Sequence, residues 1–293
     1  MALESNDSFL GSMRLISWNL NGRRAKAQAQ VAALVAREPD VVALQEVTRS
    51  TLPLLRAALI HNGLVHVADS FSMAPSAFQA VGPRRYGQIT ASRHPLISAA
   101  PDRFQVPWPE RVLSVQVNFR GREVEVYNTH VPPGSSNGWI KIGALEGIFT
   151  ALAVPATRPR ILCGDFNTPQ AEMPTGEVVT WAQRRTTNGG WRVVARRQGR
   201  PGSEWDAGER RVLTGLAEFD LVDTFRALHG YEVSERSWVL SRHGEELGRR
   251  FDHVFASREL HPVSCWYLHD LRTTGLSDHA PIEATFEFRA PAL

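Results

Sequence analysis

Short apolar runs that end abruptly in carboxylates, amides and imidazoles constrain this chain more than any other feature. Arg160-Ile161-Leu162-Cys163 runs into Gly164-Asp165-Phe166-Asn167, and Val41-Val42-Ala43-Leu44 runs into Gln45-Glu46. Trp18-Asn19-Leu20-Asn21-Gly22, Asn128-Thr129-His130, Arg250-Phe251-Asp252 and Ser277-Asp278-His279 sit at predicted strand ends in the same way. Polar groups placed there waste burial energy unless they converge on an ion, a substrate or one another. Hard oxygen donors with two histidines suit Mg²⁺ or Mn²⁺ working beside a phosphate.

Periodicity places these ends on alternating elements. Val31, Leu34 and Val35 at helical spacing predict a helix over Lys26–Arg37, stopped by Pro39, between strands at Arg14–Asn19 and Asp40–Gln45. A second helix covers Thr51–His61, with Asn62-Gly63 as its stop. Strands follow at Tyr86–Arg93, Arg111–Phe119 and Glu123–His130, the last two joined by the hairpin signal Arg120-Gly121-Arg122. Asn137–Ala153 and Glu209–Ala217 read as helices, and Arg160–Phe166, Arg250–Ala256, Val263–His269 and Ala280–Phe288 as strands. Strands mixed with helices in both halves, without a linker or repeat, predict one α/β domain. The Gly, Pro and Arg content of residues 168–208 predicts a long functional loop.

At 293 residues and 43% hydrophobic the chain can bury a substantial core. It contains no apolar run near the roughly 20 residues that span a bilayer, and residues 1–13 lack a signal peptide's pattern. A monomeric cytoplasmic protein without membrane contact is expected, with residues 1–13 a disordered leader or expression remnant and 14–293 the domain. Its two cysteines, Cys163 and Cys265, make no disulfide framework and read as packing residues. Charge is uneven: eight arginines against three acids between Gln183 and Arg211 give a local +5 in a chain of net +3. A polyanion-binding face and a solvated insertion both accommodate such a segment.

The motifs Gln45-Glu46, Asn128-Thr129-His130, Gly164-Asp165-Phe166-Asn167, Phe251-Asp252 and Ser277-Asp278-His279, in this order from about Arg14 to Phe288, resemble the endonuclease/exonuclease/phosphatase superfamily. That superfamily includes exonuclease III, apurinic endonucleases, DNase I, neutral sphingomyelinases and inositol-polyphosphate phosphatases. The resemblance implies a four-layered α/β/β/α sandwich, two mixed sheets face to face with helices outside, and a site at the strand ends between the sheets. It implies Glu46 as the principal Mg²⁺ (or Mn²⁺) ligand, with Asp278 and Asn21 on the metal side and Asn19 on the phosphate side.

Within that frame Asp165 suits the base that orients and deprotonates water, expected to be ionised at neutral pH, and Asn167 suits a donor to a phosphate oxygen. His279 would contact the scissile phosphate with its other ring nitrogen held by Asp252, and His130 would face the same phosphate. Asp220–His229, Ser237-Trp238 and Gly248–Asp252 resemble exonuclease III and apurinic endonucleases, making Trp238 and Phe251 candidates for stacking on a nucleotide. His130 stands where those branches have tyrosine, and Arg249 where a bulky apolar residue is frequent, which puts abasic selectivity in doubt. The expectation is a metal-dependent phosphodiesterase acting on DNA, with Arg184, Arg185, Arg196 and Arg197 on the backbone. A small-molecule or lipid phosphoesterase and a catalytically silent nucleic-acid-binding relative remain as alternatives.

Overall fold

Strands that are apolar on both faces need cover on both sides, and this chain supplies it by stacking two sheets and flanking them with helices. The computed structural model describes residues 9–73, 81–99, 103–242 and 245–289. Its two six-stranded sheets are built from β1 (Phe9–Asn19), β2 (Val41–Val47), β3 (His66–Asp69), β4 (Gly87–Ser92), β5 (Leu96–Ser98), β6 (Val112–Phe119), β7 (Arg122–His130), β8 (Arg160–Asp165), β9 (Val222–Asp223), β10 (Asp252–Ala256), β11 (Pro262–Tyr267) and β12 (Ile282–Arg289). The order is β11-β12-β1-β2-β4-β3 in one sheet and β9-β10-β8-β7-β6-β5 in the other. Pairing is parallel only between β1 and β2 and between β7 and β8, so both sheets are mixed.

The period-two alternation along each strand sorts side chains between layers. Leu15 and Ala43 of one sheet and Val115, Val126, Ile161 and Cys163 of the other join one buried cluster between the sheets. Ile16, Trp18 and Leu44 instead meet Val31, Leu34, Leu55 and Leu59 of the outer helices α1 (Ala27–Val35) and α2 (Leu52–His61). Tyr127 and Leu162 meet Leu145, Ile148 and Val212 of α3 (Ile140–Leu152) and α4 (Gly202–Leu213) on the opposite outside. This is the expected α/β/β/α sandwich. Cys163 and Cys265 are free and buried, and burial pushes the Cys163 thiol up to about 12. Among the described residues no helix is long and apolar enough to cross a membrane.

Four expectations need correction. Residues 9–13 belong to the fold: β1 begins at Phe9, Phe9 pairs with Arg289 and Met13 with Phe286, and Met13 is fully buried, whereas residues 1–8 lie outside the described residues. Residues 168–208 are not one loop but three short hairpins, 171–172 with 178–179, 183–185 with 191–193 and 196–197 with 200–201, followed by α4. The helix expected over Glu209–Ala217 begins earlier, at Gly202 behind Pro201, because Trp205, Val212 and Leu213 give it an apolar face. The helix expected over Asn137–Ala153 is split at Gly138, whose φ of 57° breaks the helical run before Ile140.

Candidate active site

The two parallel pairs bring polar strand ends to one edge of the sandwich. Asn19 lies beside Gln45 in the β1–β2 register, and His130 beside Asp165 in β7–β8. β10 runs antiparallel to β8, so its first residue, Asp252, lies opposite the last residue of β8, Asp165. Glu46 sits at a register shift between Leu44 and Val47 with φ 54°, a bulge that turns its side chain out of the ladder. Asn21 and Asn167 also occupy the left-handed region, at φ 56° and 52°. Such clustering of uncommon backbone conformations marks a site whose geometry the surroundings enforce.

Asn19, fully buried, ties the carboxylates together. Its Nδ2 donates to Asp165 Oδ2 at 2.9 Å and to Glu46 Oε1 at 3.2 Å, and its Oδ1 accepts from the Asn21 backbone N at 2.9 Å. Asn21 Nδ2 donates to Asp278 Oδ1 at 2.8 Å, and Ser277 Oγ donates to the Asn19 carbonyl at 2.6 Å. Asp165 Oδ1 accepts from the Asn167 backbone N at 2.9 Å. Beneath this layer Gln45 Nε2 reaches across the sheets to Asn128 Oδ1 at 2.8 Å, both side chains being fully buried.

The two histidines carry opposite character. Arg111 Nη1 donates to His130 Nδ1, and because a guanidinium has only donors the His130 proton sits on Nε2. That nitrogen faces Glu46 Oε1 and Asp165 Oδ2, each at 3.7 Å. Burial and the charges of Arg111 and His279 hold His130 neutral, well below its ordinary range. His279 Nδ1 meets Asp252 Oδ2 at 2.7 Å, and its Nε2 lies 3.8 Å from Asp165 Oδ2. Burial opposes charge on His279, but Asp252 and Asp165 outweigh it and push the imidazole up to about 10.

The surroundings of Asp165 oppose its ionisation when no cation stands beside it. Burial pushes its carboxyl up to about 7, with the Asp252 charge adding to the rise and His279, Asn167 and Asn19 opposing it. Burial likewise raises Glu46, and the nearby Asp278 charge raises it further. A dication would offset these crowded negative charges, and the oxygen-rich donor set suits a hard one. The residues therefore fit a divalent metal. Among the described residues, ligand atoms of Glu46, His130 and Asp165 lie within 4.8 Å of one another, as do those of Asp165, Asp252 and His279. Asp278 belongs to neither group; its charge acts on Glu46, and Asn21 Nδ2 donates to its Oδ1.

Glu46, His130, Asp165, Asn167, Asp278 and His279 line a cleft of about 740 Å³. Trp238 and Phe251 line it, their rings stacked on each other with centroids 5.4 Å apart. Of the four arginines singled out in the basic segment, Arg197 lines the cleft and packs over Trp205 at 4.4 Å, whereas Arg184, Arg185 and Arg196 are exposed on the hairpins and do not line it. Sequence reasoning missed Arg111, Arg85 and Tyr86 on one wall and Trp181 on the other. It also passed over His253, fully buried, which bonds the Thr168 carbonyl at 2.9 Å through Nε2 and Asp223 Oδ2 at 3.2 Å through Nδ1. The Phe251-Asp252-His253 run was the available signal for His253; nothing local distinguishes Arg111 from other arginines.

Residues 16–279 match the model of the endonuclease/exonuclease/phosphatase family. The fold is similar to that of an AP endonuclease from Archaeoglobus fulgidus, at TM-score 0.63 and 20% identity over 94% of this chain and 99% of that one. An AP endonuclease, LMAP, from Leishmania major matches at TM-score 0.61 and 19% identity over 96% and 88% of the two chains. D. rerio TDP2 complexed with single strand DNA product matches at TM-score 0.60 and 16% identity over 94% and 99%. With strand-end carboxylates, amides and imidazoles gathered between two mixed sheets, this chain belongs to the endonuclease/exonuclease/phosphatase family, a superfamily of hydrolases that are generally metal-dependent phosphoesterases.

Proposed function

We propose that the protein is a Mg²⁺-dependent (or Mn²⁺-dependent) phosphodiesterase acting on DNA, a nuclease of the exonuclease III and apurinic endonuclease type. The observation that carries this reading is the convergence of Asp165, Glu46, His130 and His279 on the floor of a cleft walled by arginines and aromatic rings. A polyanion with stackable bases complements such walls better than a small polar phosphate does. The relatives that are AP endonucleases, or that carry single-stranded DNA, support the same substrate class.

Glu46, with Asp278 and Asn21 on its flank, would hold the metal, which when bound offsets charge on the phosphoryl oxygens. Asp165 takes the proton of the attacking water at its carboxylate, held in place by Asn19 and the Asn167 backbone. Asn167 lines the cleft beside the phosphate position, whereas Asn19, expected on the phosphate side, is fully buried with its Nδ2 protons on Asp165 and Glu46 and so orients those carboxylates. His279 presents a charged Nε2–H, kept protonated and oriented by Asp252, and His130 a neutral Nε2–H oriented by Arg111. Two donors aimed at the developing charge act mainly in the transition state.

Cleavage should rise as Asp165 deprotonates, at or below about pH 7, and fall as His279 loses its proton near pH 10, the limbs belonging to the coupled pair. Asp252→Asn removes the larger of the charges that raise His279, so the descending limb moves to lower pH. A descending limb left in place by Asp252→Asn contradicts the pairing.

If the hairpins track a nucleic-acid backbone, neutralising Arg184, Arg185 and Arg196 together should flatten the slope of log K against log salt by up to about 2.7 on duplex DNA. Turnover of a small phosphodiester reporter should stay unchanged, because none of the three lines the cleft. An unchanged slope assigns these arginines to solvated surface. The overall test is an activity panel with Mg²⁺ and Mn²⁺ on abasic duplex, nicked duplex, single strand, RNA and a generic phosphodiester. Cleavage of one or more DNA substrates supports the reading; cleavage of the generic diester alone favours a small-molecule or lipid phosphoesterase.

A further inference from the structure

Beside the cleft lies a fully buried ion pair that the chemistry above does not use. Lys141 of α3 and Glu209 of α4 have no exposed surface, and Lys141 Nζ lies 2.6 Å from Glu209 Oε1. The same Nζ donates to the Asn167 carbonyl at 2.9 Å. That carbonyl accepts a second bond, from Trp181 Nε1 at 3.0 Å. Glu209 holds both donors, since its Oε2 accepts from the Trp181 backbone N at 2.8 Å while Trp205 Nε1 donates to its Oε1 at 2.8 Å.

Stability alone does not explain the pair. Taking two charges out of water is costly, and well-packed apolar side chains of similar volume are often as stable or more so. What apolar side chains cannot supply is a donor aimed at the Asn167 carbonyl. That residue matters because Asn167 sits in the left-handed region, its backbone N holds Asp165 Oδ1 at 2.9 Å, and its Nδ2 donates to the Val131 carbonyl at 2.9 Å. The carbonyl and the N–H lie on the two peptide units that flank the Asn167 Cα, so release of the carbonyl would free the left-handed backbone of Asn167 to relax and with it the N–H that holds the Asp165 carboxylate.

We propose that Lys141 and Glu209 are positioning residues for the reaction: together with Trp181 they clamp the Asn167 carbonyl and so fix the Asp165 carboxylate. Through this clamp the wall of the cleft that bears Trp181 and Arg197 is locked to the reacting groups by a single carboxylate. The inference rests on the phosphodiesterase reading of the Asp165 site.

The test compares Lys141→Met, Glu209→Met and the double variant in the full-length enzyme, by thermal unfolding and by cleavage of DNA with Mg²⁺. Each single variant strands a buried charge and lowers Tm. The double variant should regain part of the lost Tm, since Trp181 N and Trp205 Nε1 still lack their acceptor, yet keep kcat at least about 10-fold below wild type with KM little changed, since displacing a catalytic group by about 1 Å can cost about 100-fold. A double variant that regains both Tm and kcat overturns the proposal. Trp181→Phe, which keeps the ring and removes one donor, should lower kcat several-fold; an unchanged kcat also counts against the clamp. A crystal structure of the double variant gives a readout independent of activity: the Asn167 carbonyl and the Asp165 carboxylate should leave their present orientations, and retained orientations overturn the proposal. Wild-type enzyme that cleaves no phosphodiester would instead sink the functional reading, leaving the clamp to be judged by that structure.

Discussion

Asp165→Asn is expected to lower kcat by about 10²–10⁴-fold with little change in KM, the range associated with loss of a general base. The substitution keeps the shape of the side chain and leaves an oxygen to accept from the Asn167 backbone, but removes the charge that takes a proton from water. Burial already raises the Asp165 carboxyl to about 7, so a neutral side chain relieves a desolvation cost and the fold should survive. His279→Ala should show the same separation, because its Nε2–H acts on charge that develops in the transition state. Steady-state kinetics with a thermal melt on each variant checks this. Either variant within a few-fold of wild type would contradict the assigned roles.

Gly164→Ala should be the most damaging single methyl addition near the site. Gly164 has φ 137°, outside the range that side-chain-bearing residues readily adopt, and an added Cβ would stand 1.8 Å from the Thr129 carbonyl oxygen. That carbonyl belongs to the parallel neighbour strand, where Thr129 is in register with Gly164, so it cannot swing away without breaking the sheet. Backbone strain of about 1–3 kcal/mol and overpacking of about 1–3 kcal/mol together predict roughly 2–6 kcal/mol of lost stability. Denaturant unfolding measures it. A loss under about 1 kcal/mol would mean that the β7–β8 pair yields more easily than its burial suggests.

The strand ends were legible because burial energetics are local: an apolar run that stops at Glu46 or Asp165, or that starts from Asp252, announces a polar edge whatever the rest of the chain does. Periodicity located β6, β7 and β8 to within one residue and β2 to within two for the same reason. The hairpins between 171 and 201 were not legible because their pairing is set by short turns and by packing on Trp205, not by any repeat of apolar residues. β1 was cut short because its first residues look like a polar leader, although the partner strand β12 holds them in the sheet.

The site divided along the same line. Residues on strand ends could be named, whereas Arg111, Trp181, Lys141 and Glu209 owe their places to contacts across many residues of sequence, such as the bond from Lys141 to Glu209. The ionisation of Asp165 depends on burial, a tertiary property that no local run of residues announces.

Single-turnover cleavage of end-labelled DNA tests the central claim most directly, comparing wild type and Asp165→Asn in Mg²⁺, after EDTA, and after Mg²⁺ is restored. The account predicts cleavage by wild type that EDTA abolishes and Mg²⁺ recovers, with the folded Asp165→Asn enzyme at least about 100-fold slower throughout. Cleavage that persists in EDTA, or that Asp165→Asn performs at the wild-type rate, would contradict it.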